Sequence, residues 1–184
     1  RVIPAVGKKP GEELVYGDHC LRCLLTPGHT PGHMCLYEPE QQWLFSGDHV
    51  LFQISPNICR WSNRSDSLGD YLDSLRLIRD LPGQHLFPSH RAVEGTLADR
   101  VDELLRHHQF RIRNTWDVVH QEPGLNSYEI AGRMRWRIRS KSWGDFPLTH
   151  KLFAVGETLA HLDYLAVRGQ LSCRMEAGRY IYFT

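Results

Sequence analysis

The side chains best placed by type and spacing to do chemistry are His29, Asp48 and His90. His29 lies in Thr26-Pro27-Gly28-His29-Thr30-Pro31-Gly32-His33, where prolines and glycines forbid a helix and stiffen a loop. Asp48 follows the apolar run Trp43-Leu44-Phe45-Ser46-Gly47, and His90 follows Pro88-Ser89. A hydrolytic metal ion draws imidazole and carboxylate ligands from several directions, so they must come from several rigid segments. Each of the three residues sits just beyond a short run that reads as a strand, at the C-terminal end where α/β sheets build sites. The plainer alternatives are a turn histidine bonded to backbone for His29 and a turn or cap carboxylate for Asp48.

Other candidates have simpler readings. His33 stands four residues after His29, the spacing of a helical zinc pair, but Pro31 and the glycines deny the helix. His33 therefore reads as a supporting or packing residue. His49 points away from Asp48 if the strand continues. His107 and His108 read as late residues of a helix, where imidazolium suits the dipole. Cys20 and Cys23 form a lone C-x-x-C inside a strand-like stretch, with no second pair to complete a zinc site. Five cysteines in all argue against a disulfide framework and make a reducing, cytoplasmic setting the expectation. Arg133, Arg135, Arg137, Arg139 and Lys141 alternate with Met134, Trp136 and Ile138. That run reads as a solvated helix end and loop, or as a patch for nucleic acid.

The elements that must position these residues follow from periodicity. Glu12 to Leu25 reads as a hairpin turning at Gly17-Asp18, then come short strands at 34–37, 43–48 and 86–87. A helix capped by Asp66 or Ser67 runs to about Leu81, and a second covers about 96–110. Beyond it lie helices at 112–120 and from a Ser127 cap to about Arg135. A longer helix follows, with Leu152, Val155, Leu159, Leu162 and Leu165 at spacings of three and four. These leucines and Val155, with Ile130 and Ile181, are the expected core of the C-terminal part. Two strands around Glu176-Ala177-Gly178 close the chain. The pattern is a layered α/β unit at 1–110 followed by a small α+β unit with a winged-helix layout at 111–184.

Composition narrows the class. The chain has 184 residues, 41% apolar and 23% charged, with a net charge of +1. These values exclude a disordered chain and a coiled coil, and they give no global pull toward nucleic acid or anionic lipid. No apolar run reaches the ~18 residues of a membrane span, and Arg1 to Val6 lacks a secretory apolar region. Charge is split: residues 1–110 hold 11 Lys/Arg and 14 Asp/Glu, a net of −3, whereas 111–184 hold 11 and 7, a net of +4.

The T-P-G-H-T-P-G-H loop, followed by Phe45-Ser46-Gly47-Asp48 and by Pro88-Ser89-His90, resembles the later metal-binding motifs of the metallo-β-lactamase superfamily. Ser55-Pro56-Asn57-Ile58, Leu68 to Leu75 and Phe153 to Leu162 resemble a subgroup of that family with an appended winged helix. The resemblance implies the C-terminal half of an αββα sandwich and a winged-helix domain. It implies metal ligands at His29, Asp48 and His90, with Asp48 bridging two zinc ions and thereby catalytic. It implies ester, thioester or phosphodiester hydrolysis by the intact family member. A small-molecule ester or thioester, or RNA, would be the substrate.

The family's H-x-H-x-D-H motif is absent: among eleven histidines no H-x-H occurs. This leads to the expectation that the chain is a C-terminal fragment with weak or absent zinc binding and little or no activity of its own. The alternative is a non-catalytic winged-helix module that binds nucleic acid, through Arg133, Arg135, Arg137 and Arg139, or a protein. Self-association through an uncovered sheet face in residues 14–52 is also expected.

Overall fold

A computed structural model describes residues 9–136 and 142–184. The N-terminal unit opens with β1 (Glu13–Tyr16) and β2 (His19–Leu25), a hairpin turning at Gly17 with a positive φ of 59°. Next come β3 (Met34–Glu38), β4 (Trp43–Gly47), α1 (Ser67–Ile78), β5 (His85–Pro88) and α2 (Leu97–Gln121). The sheet order is β1-β2-β3-β4-β5, antiparallel except for the last pair. Helix α1 is the crossover that makes β4 and β5 parallel. This is an α/β arrangement of a mixed sheet and helices.

Alternation decides what each sheet face does. Cys35, Tyr37 and Leu44 lie on one face and pack with Leu68, Tyr71, Leu72, Leu75 and Ile78 of α1 and Val101 and Leu104 of α2. The register places Leu36 opposite Phe45 and Phe45 beside Phe87 on the other face. There Phe45 and Phe87 stack at 4.6 Å, and Phe87 is 43% exposed. Among the described residues no helix covers these rings.

The rest of the chain is β6 (Leu125–Asn126), α3 (Ser127–Arg133), α4 (Leu148–Val167), β7 (Ser172–Glu176) and β8 (Arg179–Phe183). The strands form a second antiparallel sheet in the order β6-β8-β7. Ala177 and Gly178 both take positive φ in its two-residue turn, as a primed hairpin turn requires. Val118, Val119, Ile130, Leu162, Leu165 and Tyr182 form its core.

Several local expectations change. The helices expected to stop at 110 and restart at 112 are one 25-residue helix, α2, which runs through the boundary expected at 110/111. No glycine or proline interrupts Leu97–Gln121, and its buried face continues through Leu104, His108, Arg111, Thr115 and Val118. His107 and His108 are therefore mid-helix, and neither caps a helix end. Asn126 rather than Ser127 caps α3, in a capping box with Glu129. Leu152 is 70% exposed and leaves the expected core, while Val155 and Leu159 are half-buried. The buried stripe of α4 is Ala154, Thr158, Ala160, His161, Leu162 and Leu165. Arg1 to Val6, and Arg137, Ile138, Arg139 and Lys141 of the basic run, lie outside the described residues.

Candidate metal centre

The topology explains why distant residues meet. β3 is antiparallel to both β2 and β4, and β4 is parallel to β5, so β2, β4 and β5 all end on one edge. His29 follows β2, Asp48 follows β4 and His90 follows β5. A hydrogen bond from Ser89 N to Gly47 O (3.0 Å) fastens the ends of β4 and β5 together. His29 Nε2 lies 3.7 Å from Asp48 Oδ2, and His90 Nε2 lies 3.4 Å from Asp48 Oδ1. The two imidazoles thus approach opposite oxygens of one carboxylate.

Helix α1 holds both loops in place. Ser74 donates its hydroxyl to Pro27 O at 2.9 Å, and Tyr71 donates to His49 O at 3.0 Å. Gly28 takes a φ of 139° and presses onto α1. A Cβ there would stand 2.3 Å from Tyr71 Cβ and 2.5 Å from Tyr71 Cα. Glycine is required on both counts, conformation and space. Gly47 takes a φ of 54°, and His33 lies over it with Nε2 2.7 Å from where a Cβ would be. His33 Nδ1 shares a 2.8 Å hydrogen bond with Thr26 Oγ1, which places His33 as a support for the strand end that carries Asp48.

The electrostatics separate the histidines. His29 Nδ1 donates to Asn57 O at 3.0 Å, since a carbonyl can only accept. In the neutral ring that leaves a lone pair on Nε2, facing Asp48. Burial, then the neighbouring His29, push His33 below its usual range, partly opposed by Asp48. Burial lowers His49 to about 3, and neither of its ring nitrogens has a hydrogen-bond partner. Asp48 Oδ1 is also shielded from solvent without a hydrogen-bond partner. A carboxylate oxygen so placed needs a cation or a donor, because desolvating it uncompensated costs several kcal/mol.

Among the described residues no group of three or more His, Cys, Asp or Glu is arranged to hold a metal ion. The pairwise distances nonetheless converge on Asp48. Ion pairs between protein groups and ligation of a common ion need different rotamers of the same side chains, so the convergence counts for more than the present rotamers. The donor set fits part of a metal centre: one nitrogen from each histidine and two carboxylate oxygens, with His29 oriented by Asn57.

Residues 4–90 match the family described as Metallo-beta-lactamase superfamily. The matched stretch is just under half of the chain. The matched stretch contains His29, Asp48 and His90 at one end of its sheet. The chain is 32% identical over 126 residues to the Lactamase-like protein nscB of Neosartorya fischeri, covering 65% of this chain and 35% of that protein. It is 28% identical over 145 residues to the Beta-lactamase-like protein 2 homolog of Caenorhabditis elegans, covering 77% and 47%. A metallo-beta-lactamase family protein from Thermus thermophilus superposes with a TM-score of 0.78 at 30% identity, over 96% of this chain and 53% of that one. A beta-lactamase domain protein from Burkholderia ambifaria superposes with a TM-score of 0.83 at 25% identity, over 100% and 54%. The chain therefore spans about half the length, or less, of these relatives.

Some relevant residues escaped the sequence reading. Asn57 orients His29 from 28 residues away, and no local pattern announces such a contact. Nor does one announce the buried pairs His108–His161 and Arg111–Glu157. Of the basic run, Arg133 is held by Glu122 at 2.8 Å, and Arg135 is exposed. Cys20 and Cys23 lie in β2 as free thiols. No helix among the described residues is long and apolar enough to cross a membrane.

Proposed function

We propose that this chain carries the later half of a zinc-dependent hydrolytic centre, with His29, Asp48 and His90 as its ligands. The observation that carries this reading is the Asp48 carboxylate, whose two oxygens face the Nε2 atoms of His29 and His90 and whose Oδ1 is shielded from solvent without a hydrogen-bond partner. Zinc, when bound, would act as a Lewis acid that acidifies water and polarises a carbonyl or phosphoryl oxygen. The chain's own residues do the positioning. Asn57 holds the His29 tautomer, Gly28 and Ser74 seat its loop on α1, and His33 braces the Gly47 turn under Asp48. The substrate would be an ester, thioester or phosphodiester of the intact protein. This chain alone would bind zinc weakly and turn over little, because ligands of the H-x-H-x-D-H type are absent from its sequence.

The companion proposal is that residues 111–184 are a winged-helix domain. It is supported by α2 and α3 packed against the small sheet and α4 packed on both helices, with the exposed strand β7 of the β7–β8 hairpin as the wing.

Zinc calorimetry tests the centre. Weak binding abolished by Asp48→Ala is expected, with no hydrolysis of esters, thioesters or phosphodiesters. Zinc affinity unchanged by Asp48→Ala would refute the ligand assignment. Tight binding of two ions with turnover would refute the incomplete site.

A further inference from the structure

Beside the metal centre, the loop 55–57, α2 and Trp136 line two adjoining cavities of 340 and 500 Å³, the smaller also walled by α4. Both volumes fall in the range of small-molecule sites. Ser55, His107, Arg111 and Trp136 line both, so the two are lobes of one groove. The lobes differ in chemistry. The larger is cationic, walled by Arg100, Arg106, Arg111 and Arg135 against the single carboxylate of Glu103. Arg100 is already committed, donating to Leu51 O, Ile54 O and Glu103. Arg106 and Arg135 are exposed at the rim. Low-dielectric walls focus such a field, so this lobe attracts anions.

The smaller lobe is aromatic and carries an acceptor. Trp136 and Phe153 line it, and Arg111 lies over the Trp136 ring at 4.1 Å. Glu157 lines it as well. Arg111 Nε stands 3.3 Å from Glu157 Oε1, yet that oxygen is sealed from solvent without a hydrogen-bond partner. Arg111 neutralises this acceptor as an ion pair, and the carboxylate retains room for a better-aligned donor.

One ligand chemistry satisfies both lobes: a phosphate group joined to a flat ring that bears N–H donors. We propose that this groove binds a nucleoside phosphate, with its base against Trp136 and Glu157 and its phosphates between Arg106 and Arg135. Base stacking on an aromatic ring and charge-assisted bonds from arginine to phosphate are both strong in such settings. The groove also borders the metal centre, because Asn57, whose carbonyl orients His29, lines the smaller lobe. The proposal stands apart from the zinc reading.

The test is calorimetry of the full chain with ADP in the presence of EDTA, which removes metal from the result. We expect one ADP per chain. Adenosine and inorganic pyrophosphate, each offering half of the contacts, should bind at least about tenfold more weakly. Arg106→Glu and Arg135→Glu, both at exposed positions, should each weaken ADP by about tenfold or more while circular dichroism stays unchanged. The Trp136 indole N–H resonance should shift on titration. Absence of ADP binding at millimolar concentration, or binding indifferent to both charge reversals, would overturn the proposal. So would a single-stranded RNA that binds more than about tenfold tighter than ADP at equal salt, since the surface would then be a nucleic-acid track.

Discussion

The two glycines of the Thr26–His33 loop make a discriminating experiment. Gly28 and Gly32 occupy matching places in the repeated P-G-H, yet their surroundings are opposite. At Gly28 a methyl group would meet the backbone of α1 at 2.5 Å (Cα) and 2.9 Å (N) of Tyr71, and φ is 139°. Helix backbone cannot rotate away as a side chain can, so the loop must lift. Overpacking of this kind costs about 1–3 kcal/mol, and a non-glycine residue at such a φ adds about 1–3 more. Gly28→Ala should therefore lose about 2–6 kcal/mol, or roughly 4–24 °C in Tm for a chain of this size. Around Gly32 nothing lies within 4 Å, and its φ is not positive. Gly32→Ala should stay within about 0.5 kcal/mol of the parent. Urea unfolding followed by circular dichroism reads both. The lifted loop carries His29, so Gly28→Ala should also weaken zinc binding, which Gly32→Ala should not. A Gly28→Ala protein as stable as the parent would show that the loop is not seated on α1, and the placement of His29 would fall with it.

Leu162→Ala, at a fully buried site of α4, should cost about 2–5 kcal/mol, whereas Leu152→Ala, 70% exposed, should change stability by less than about 0.5; thermal melts of both variants decide it. Acid should destabilise the fold through His108 and His161, which share a 3.4 Å hydrogen bond in the core. Burial holds His108 well below its usual range and His161 at about 4, so the unfolded chain takes up protons that the folded one refuses. Stability is then complete above pH ~6.5 and falls as pH drops toward 4, by about 3 kcal/mol from His161 alone. Urea midpoints flat across that window would contradict this. The uncovered Leu36, Phe45 and Phe87 face should drive self-association, read as a mass above one chain in light scattering that Phe87→Ser lowers.

Elements with strong local signals were legible before the fold was known. The Gly17-Asp18 turn and the proline-rich loop around His29 each follow from backbone chemistry that one or two residues impose. The placement of His29, Asp48 and His90 just beyond strand ends was also legible, and the shared direction of β2, β4 and β5 brings those ends together. What escaped depends on tertiary contacts. Periodicity marks Leu152 as core, but α4 extends beyond its packing partners there, leaving that turn in solvent. Ser127 and Asn126 both suit an N-cap, and only the backbone at Asn126 (φ −85°, ψ 169°) separates them. His108 and His161 look like surface residues by type. They are buried because each finds the other across the α2–α4 contact, 53 positions apart.

Helix α2 has a mechanical consequence. Val101 and Leu104 near its start belong to one core, and Val118 and Val119 near its end belong to the other. A single hydrogen-bond ladder connects them, with no hinge residue in 25 positions. Neither core can open fully without unwinding a rod whose far end the other core still grips. The two cores are thereby coupled in a way that a flexible tether would not allow. Heat or denaturant should dissolve them in one transition, and a protease seeking the junction should find its slowest-exchanging backbone there instead of a linker.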